Sequence, residues 1–352
     1  MNEGSAGRPV VMVATRMAGH ATAAGYDRLQ DFIAADVIRP PQRWSVAQRA
    51  VVRSLRGFVD RSGSQWYHAR NLWSELAAAK QWLAGSGRIF HFLYGENSYR
   101  YLGNLKGLNR GNAIVCTYHT PERRFAEVVA NRGQLSRIDA AIAVSTVQLE
   151  FLEERIGPDR VHFVPHGIDV EYFAPDVGMP CDTEVLECLF VGSHLRDVDT
   201  LAAVARTLES VPRIRFTLVT RPENATKVAG LRNVAVKAKV GDAELLNLYR
   251  TSQLLVFPLL DCTANNSLLE AMACGLPILS TDLPGVRDYV TPDCSVLVPK
   301  GAADRMSDAL LALEADRGML RDMRSASRRR ALELRWEAVA GMTRRVYERI
   351  SQ

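Results

Sequence analysis

The sequence predicts an α/β protein built from two Rossmann-like, doubly wound domains in tandem. Three observations carry this. Short apolar runs alternate with helical stretches along the chain, the pattern of parallel strands joined by crossover helices. The alternation breaks once, over Asp169 to Thr183, where Pro175, Gly178 and Pro180 punctuate a linker, and then restarts. The chain has 352 residues, 47% of them apolar, enough for two domains with a core each. The expected domains are residues 1–170 and 171–335, facing a central cleft. Residues 336–352 form a helix expected to pack back toward the first domain.

In the first half, Val10 to Thr15 reads as a buried strand, followed by Gly19, Gly25 and a helix around Asp27 to Ala35. Ile89 to Leu93, Ala113 to Tyr118, Ala140 to Val144 and Val161 to Val164 are further strands, with a helix over Val147 to Arg155. After the linker, strands are expected at Leu186 to Val191, Arg215 to Thr220, Val234 to Lys237, Leu254 to Pro258, Pro277 to Thr281 and Val296 to Pro299. Helices are expected over Thr200 to Leu208, Asp242 to Arg250 and Ser267 to Ala273. From about Arg335 the spacing of Trp336, Val339, Ala340, Thr343 and Tyr347 predicts one amphipathic helix.

Composition narrows the function classes. Charged residues at 24% describe an ordinary soluble protein. No apolar run is long enough to span a bilayer, and Met1 to Arg8 lacks the apolar region of a secretory signal. Cys116, Cys181, Cys188, Cys262, Cys274 and Cys294 form no C-x-x-C pair and read as reduced thiols of a cytoplasmic protein. The net charge of +5 lies wholly in residues 1–170, where 21 Lys/Arg face 15 Asp/Glu; residues 171–352 hold 23 and 24. Such a half suits an anionic partner, a charged acceptor or a membrane surface, or is simply a solvated basic face. The excess is small and no nucleic-acid motif accompanies it, which argues against a nucleic-acid binder.

The most informative stretch is Asn265 to Pro277. A strand ends at Pro258, a polar loop runs from Asp261 to Asn266, and a helix begins near Ser267. Free backbone N–H groups and the helix dipole at such a terminus attract a phosphate. Asn265, Asn266 and Ser267 add side-chain donors there. Glu270 lies one turn in, where its carboxylate can accept hydrogen bonds from vicinal hydroxyls. Ser267-x-x-Glu270 also spells a capping box, in which Glu270 would only close its own helix. Gly275-Leu276-Pro277 is a helix stop and turn.

Read as ANNSLLEAMACGLPIL, Ala264 to Leu279 resembles the signature of glycosyltransferase family 4, the retaining glycosyltransferases of GT-B fold. CTYHTP (Cys116 to Pro121), AIAVS (Ala141 to Ser145), VPHGID (Val164 to Asp169), FVGSHL (Phe190 to Leu195) and LPGVRDYV (Leu283 to Val290) follow in the family's order and spacing. The resemblance covers most of the C-terminal half and patches of the N-terminal half. It implies that Glu270 holds the ribose of a nucleoside diphosphate sugar, and that His119 lies near the reacting sugar and acceptor. It also places Gly25, in the loop after the first strand, against the donor phosphates or the acceptor, although the family's glycine pair is Ala24-Gly25 here.

Two departures from the family stand out. The slot of its first Glu, eight residues before Glu270, holds Cys262; either Asp261 substitutes, or backbone groups and Asn265 hold the sugar. The family's diphosphate cations are an Arg just after the strand glycine, here Gly192, and a Lys further on. Ser193 or His194 occupies the first slot and Arg196 the second. A guanidinium can fork onto two phosphate oxygens, while a surface pair with Asp197 or Asp199 is its other reading. Lys227, Lys237 and Lys239 are reserve cations, Lys239 among the expected donor-binding residues. Asp197-Val198-Asp199 spells a metal-binding D-x-D but sits at a helix start, where carboxylates cap.

The expected activity is transfer of a sugar, with retention, from a nucleoside diphosphate sugar to a glycan, lipid-linked or small-molecule acceptor. No cofactor and no essential metal are expected, and catalysis falls to His119, Asp261 and Asn265. The rival readings are a GT-B sugar-nucleotide epimerase or phosphorylase, and a degenerate transferase acting as a nucleotide-sugar sensor or partner subunit. Arg49, Arg53 and Arg56 recur at helical spacing opposite Ala47, Val51, Leu55 and Phe58, beside Arg43 and Trp44. This basic amphipathic helix suits peripheral docking on anionic lipid at the inner face of a membrane, or packing by its apolar face on the domain.

Overall fold

The computed structural model describes residues 8–16, 22–62, 64–128, 132–176 and 184–352. Gly19, Gly178, Pro180 and Cys181 lie outside them, as does most of the stretch Met1 to Arg8. The described residues divide into two compact units. Unit 1 lies within Met1–Gly19, Gly25–His166 and Trp336–Gln352, and unit 2 within His20–Ala24 and Gly167–Arg335.

Unit 1 holds a six-stranded, wholly parallel sheet: β1 (Val10–Val13), β2 (Asp36–Ile38), β3 (Ile89–Phe92), β4 (Ala113–Tyr118), β5 (Ala140–Ala143) and β6 (Val161–Phe163). The spatial order is β2-β1-β3-β4-β5-β6. β3, β4 and β5 are buried at every position, as strands covered by helices on both faces must be. The 16-residue helix Ala69–Ala84 buries Leu72, Ala78 and Trp82. The closing helix Trp336–Arg349 belongs to this unit and buries Trp336, Val339, Ala340, Thr343, Val346 and Tyr347. Trp336 meets Tyr26 edge-on at 5.7 Å, and the Tyr347 hydroxyl lies 2.6 Å from His91 Nδ1. Burial pushes the His91 imidazole down to about 3, so it stays neutral.

Unit 2 repeats the plan with β7 (Leu186–Val191), β8 (Ile214–Val219), β9 (Val234–Lys237), β10 (Leu254–Phe257), β11 (Ile278–Thr281) and β12 (Ser295–Val298). Its order is β12-β11-β10-β7-β8-β9, again all parallel. Alternate residues of β7 enter two different cores. Leu186, Cys188 and Phe190 join one, Leu189 and Val191 the other, so the sheet is buried on both faces.

Eleven of these twelve strands fall where the apolar runs predict them, within a residue or so at each end. β2 was not foreseen: three residues are too few to carry a periodicity. The helix expected around Asp27 to Ala35 is a short 3-10 turn, Tyr26–Asp31, entered from Gly25 without a side-chain cap.

Candidate functional site

In unit 2 the chain order reverses between β7 and β10, which lie side by side although three strands apart in sequence order. Ligands of such sheets bind outside the carboxyl ends of the strands at this switch point. Two loops emerge there, residues 192–197 after β7 and 258–265 after β10, and they are stitched together. Asp197 N donates to Pro258 O and Leu260 N to Leu195 O, both at 3.0 Å. Gly192 has φ 101° and Leu195 φ 57°. The leucine accepts a left-handed conformation that costs roughly 1–2 kcal/mol for a residue with a Cβ, offset by the bond to Leu260.

Arg196 is the centre of this loop pair. Its Nε donates to Val191 O at 2.9 Å, Nη1 to His194 O at 2.9 Å and Nη2 to Asn265 Oδ1 at 3.2 Å. The guanidinium lies over the Phe257 ring at 4.3 Å from its centre. A Cβ on Gly192 would meet Arg196 Nη2 at 2.8 Å, so the glycine leaves room for the cation. Burial lowers the guanidinium to about 10, still charged at neutral pH. The surface pair with Asp197 or Asp199 does not form. Asp197 caps the helix Val198–Thr207, accepting from Thr200 N at 3.0 Å and Thr200 Oγ1 at 2.7 Å, and Asp199 pairs with Lys227 at 2.7 Å. Both carboxylates of the D-x-D sequence are thus engaged as caps or pairs.

The helix Asn266–Ala273 begins beside Arg196. Its N-cap is Asn265, whose Oδ1 accepts from Ser267 N at 3.1 Å as well as from Arg196. Asn265 therefore ties the guanidinium to the helix terminus. The Ser267–Glu270 capping box is not formed. Glu270, 3% exposed, instead accepts from the Tyr249 hydroxyl through Oε2 at 2.8 Å. Burial is the main cause that raises its carboxyl to about 7; the Tyr249 hydrogen bond and Arg196 act the other way, Asp242 with the burial.

Asp261 is half-buried, and its Oδ1 accepts from Cys262 N at 2.8 Å. Cys262 is buried, with Sγ 3.0 Å from Thr263 O, and burial pushes its thiol up to about 12. It is a neutral packing group, unlike the carboxylate that the family pattern places there. Ser193 Oγ lies 3.1 Å from Thr220 Oγ1 and accepts from Arg221 N at 3.1 Å, so Ser193 braces the loop after β8. His194 is exposed. Lys239 is exposed on the loop after β9, in a left-handed conformation at φ 57°, without a side-chain bond to the Arg196 cluster.

Unit 1 carries the other two expected site residues. Its order also reverses beside β1, between β1 and β3. Gly25, in the loop after β1, has φ 103°, a conformation that excludes most residues with a side chain. His119 follows β4. Its backbone N donates to Glu96 Oε1 at 2.9 Å, and its Nε2 lies 2.9 Å from Leu93 O. A carbonyl only accepts, so Nε2 carries the proton in that contact. The imidazole packs against Tyr94 and Tyr26, with centroids 4.6 and 4.7 Å away. Glu96, 2% exposed, also accepts from Thr120 Oγ1 at 3.2 Å, while its Oε2 is buried without a partner among the described residues. Burial raises its carboxyl to about 7.

The structure thus gathers Gly192, Arg196, Asn265, Ser267 and Glu270 at one switch point and leaves Lys239 outside that cluster. Sequence reasoning missed Tyr249, Phe257 and Glu96. None belongs to a motif, and each acts through a partner 20 or more residues away, a pairing that one sequence cannot display.

Two family descriptions match: "Glycosyltransferase Family 4" over residues 10–172 and "Glycosyl transferases group 1" over residues 186–316. A D-inositol 3-phosphate glycosyltransferase of Streptomyces bingchenggensis is 28% identical over 267 residues, 67% of this chain and 58% of the relative. The chain also spans only 63% and 49% of the length of two further relatives so named. An MMP alpha-(1->4)-mannosyltransferase of Mycolicibacterium hassiacum is 27% identical over 299 residues, 76% of this chain and 72% of the relative. Among solved structures, a sucrose-phosphate synthase of Thermosynechococcus elongatus superposes with a TM-score of 0.65 at 19% identity, covering 97% of this chain and 98% of that one. That likeness concerns the fold, two parallel six-stranded sheets with flanking helices, which is the GT-B fold.

Proposed function

The chain belongs to glycosyltransferase family 4, and on that premise we propose that it is a retaining hexosyltransferase. It would draw the sugar from a nucleoside diphosphate sugar, UDP or GDP being the expected nucleotides. The observation that carries this reading is the tie between Arg196, Asn265 and the N-terminus of the Asn266–Ala273 helix, with Glu270 one turn inward. A guanidinium and a helix terminus at one switch point suit a diphosphate leaving group. Glu270 would accept from ribose hydroxyls. His119 is assigned to the reacting sugar and acceptor, and Gly25 to the donor phosphates or the acceptor. Asp261 and Asn265 are assigned to the donor sugar in place of the carboxylate that Cys262 lacks. In a retaining transfer with same-face attack, the leaving diphosphate takes the acceptor's proton, so no separate general base is required. No metal or cofactor enters this reading.

The acceptor would be a glycan, a lipid-linked molecule or a small molecule. Relatives named for inositol phosphate make a charged small acceptor one concrete candidate. The proposed setting is the cytoplasm, and the basic excess of residues 1–170 favours peripheral contact with an anionic membrane there. No described helix is long and apolar enough to cross one. Cys262 favours a second reading, a degenerate transferase that binds nucleotide sugars as a sensor or partner subunit.

A thermal-shift and nucleotide-release screen of UDP-, GDP- and ADP-sugars, with and without EDTA, separates the two. Stabilisation by one donor with slow hydrolysis that survives EDTA supports the transferase. Binding without any release supports the sensor. Release that EDTA abolishes overturns the metal-independent reading, and no binding at all counts against the transferase and moves the degenerate, partner-subunit reading ahead.

A further inference from the structure

Unit 1 carries a cavity of about 840 Å³ away from the residues assigned above. Its walls are mostly apolar, yet they include four guanidinium-bearing residues, Arg43, Arg49, Arg53 and Arg56, beside Trp44 and Val52. The helices Val46–Ser54 and Arg56–Asp60 that form one side bury no residue at all. Val52, Leu55 and Val59 are only half-buried, while Val46, Val51 and Phe58 are exposed at 80%, 42% and 47%. An amphipathic helix packed fully by its apolar face would bury that face; here Phe58 meets Tyr101 edge-on at 5.5 Å, yet no apolar side chain of the two helices is buried.

Charge says what covers it. Between Arg39 and Arg61 the chain holds six arginines and one carboxylate, Asp60. Asp60 pairs with Arg56 at 3.7 Å, and Arg49 donates to Trp44 O at 3.1 Å. Arg43 and Arg53 have no side-chain partner among the described residues and are exposed. A second copy of this chain would bring like charge against like. An anionic bilayer supplies both complements: phosphates for the guanidinium groups and acyl chains for the apolar side chains. Trp44, half-buried and edge-on to Trp73 at 5.9 Å, is the residue type that settles at the head-group level.

We propose that residues 43–60 are the docking element for an anionic bilayer, and that the cavity beside them receives a phospholipid head group through its phosphate. The inference rests on the peripheral-membrane part of the function proposed above and names the element responsible.

The test is co-sedimentation of the full chain with vesicles of equal parts phosphatidylglycerol and phosphatidylcholine, and with pure phosphatidylcholine vesicles. Arg43→Glu/Arg53→Glu reverses two cations that hold no structural bond. Lys80→Glu/Arg110→Glu makes the same charge change elsewhere in unit 1 on exposed residues. Thermal melts confirm that both variants fold. The expected result is partition of the parent onto the anionic vesicles only, a loss of about tenfold or more in the first variant, and a much smaller loss in the second. Equal losses in the two variants, or none in the first, overturn the assignment to this element while leaving membrane contact standing. A parent protein that ignores anionic vesicles, or binds neutral ones equally well, overturns both. Donor hydrolysis measured on the same samples reports on the transferase reading separately.

Discussion

The Tyr249 hydroxyl donates to Glu270 Oε2 at 2.8 Å inside the core of unit 2. A buried carboxyl with a neutral donor and a raised pKa is a polar group held at a cost, which suits a group whose remaining lone pairs await a ligand. Glu270→Ala is expected to abolish donor binding or turnover while the fold survives. Tyr249→Phe is expected to weaken donor binding by roughly tenfold, since one hydrogen bond to a charged group is lost. Calorimetric titration with the donor found in the screen checks both; unchanged binding in Glu270→Ala rules out the ribose assignment.

The same carboxyl gives a pH signature. Its ordinary value is 4.5 and its folded value about 7. Below 4.5 it is protonated in both states and costs nothing. As pH rises from 4.5 to 7, the unfolded chain releases this proton first, so stability falls, and above 7 the loss is complete. The span corresponds to roughly 3 kcal/mol. Glu270→Gln removes the effect, so its melting temperature relative to the parent should climb between pH 4.5 and 7 and then level off. A difference that stays flat across that window contradicts it.

Arg196→Lys keeps the charge but cannot hold Val191 O, His194 O and Asn265 Oδ1 together. A fall of at least about tenfold in donor turnover is expected. Gly192→Ala should do similar damage without touching the cation's chemistry. Its Cβ would crowd Nη2, and φ 101° is strained for alanine. Steady-state kinetics on both variants distinguish a positioned guanidinium from a mere positive charge, which would leave Arg196→Lys near the parent rate.

Cys262 is buried and its thiol stays neutral at physiological pH. Cys262→Ala is expected to cost on the order of 1 kcal/mol in stability, for a small cavity, and little in turnover. A kinetic loss matching that of Glu270→Ala would make Cys262 part of the reacting site.

Glu96 holds the backbone N of His119 and the Thr120 hydroxyl through one oxygen. Glu96→Ala is expected to lower kcat roughly tenfold with the donor KM little changed, because His119 loses its anchor rather than its ring. Glu96→Gln keeps an acceptor and should restore most of the rate. If the two variants behave alike, Glu96 does not position His119 in this way.

Much of this was legible in the sequence. Apolar runs of four to six residues mark the parallel strands, and the central ones, β3, β4, β5, β10 and β11, are buried throughout because both faces of such a sheet are covered. The loop–helix block from Asp261 to Ala273 marks a phosphate-suited terminus, because free N–H groups there follow from helix geometry alone. Local rules govern both features. The sequence left Glu270 between two roles and Arg196 between a ligand and a surface pair, since each depends on neighbours distant along the chain. Tertiary structure removed the cap and the surface pair from these alternatives. The chain reversal between β7 and β10 brings Val191, Phe257 and Asn265 around one guanidinium, and the fold places Tyr249 against Glu270. Periodicity records which face of a strand is buried; which side chains meet across two loops is set only when the sheet has formed.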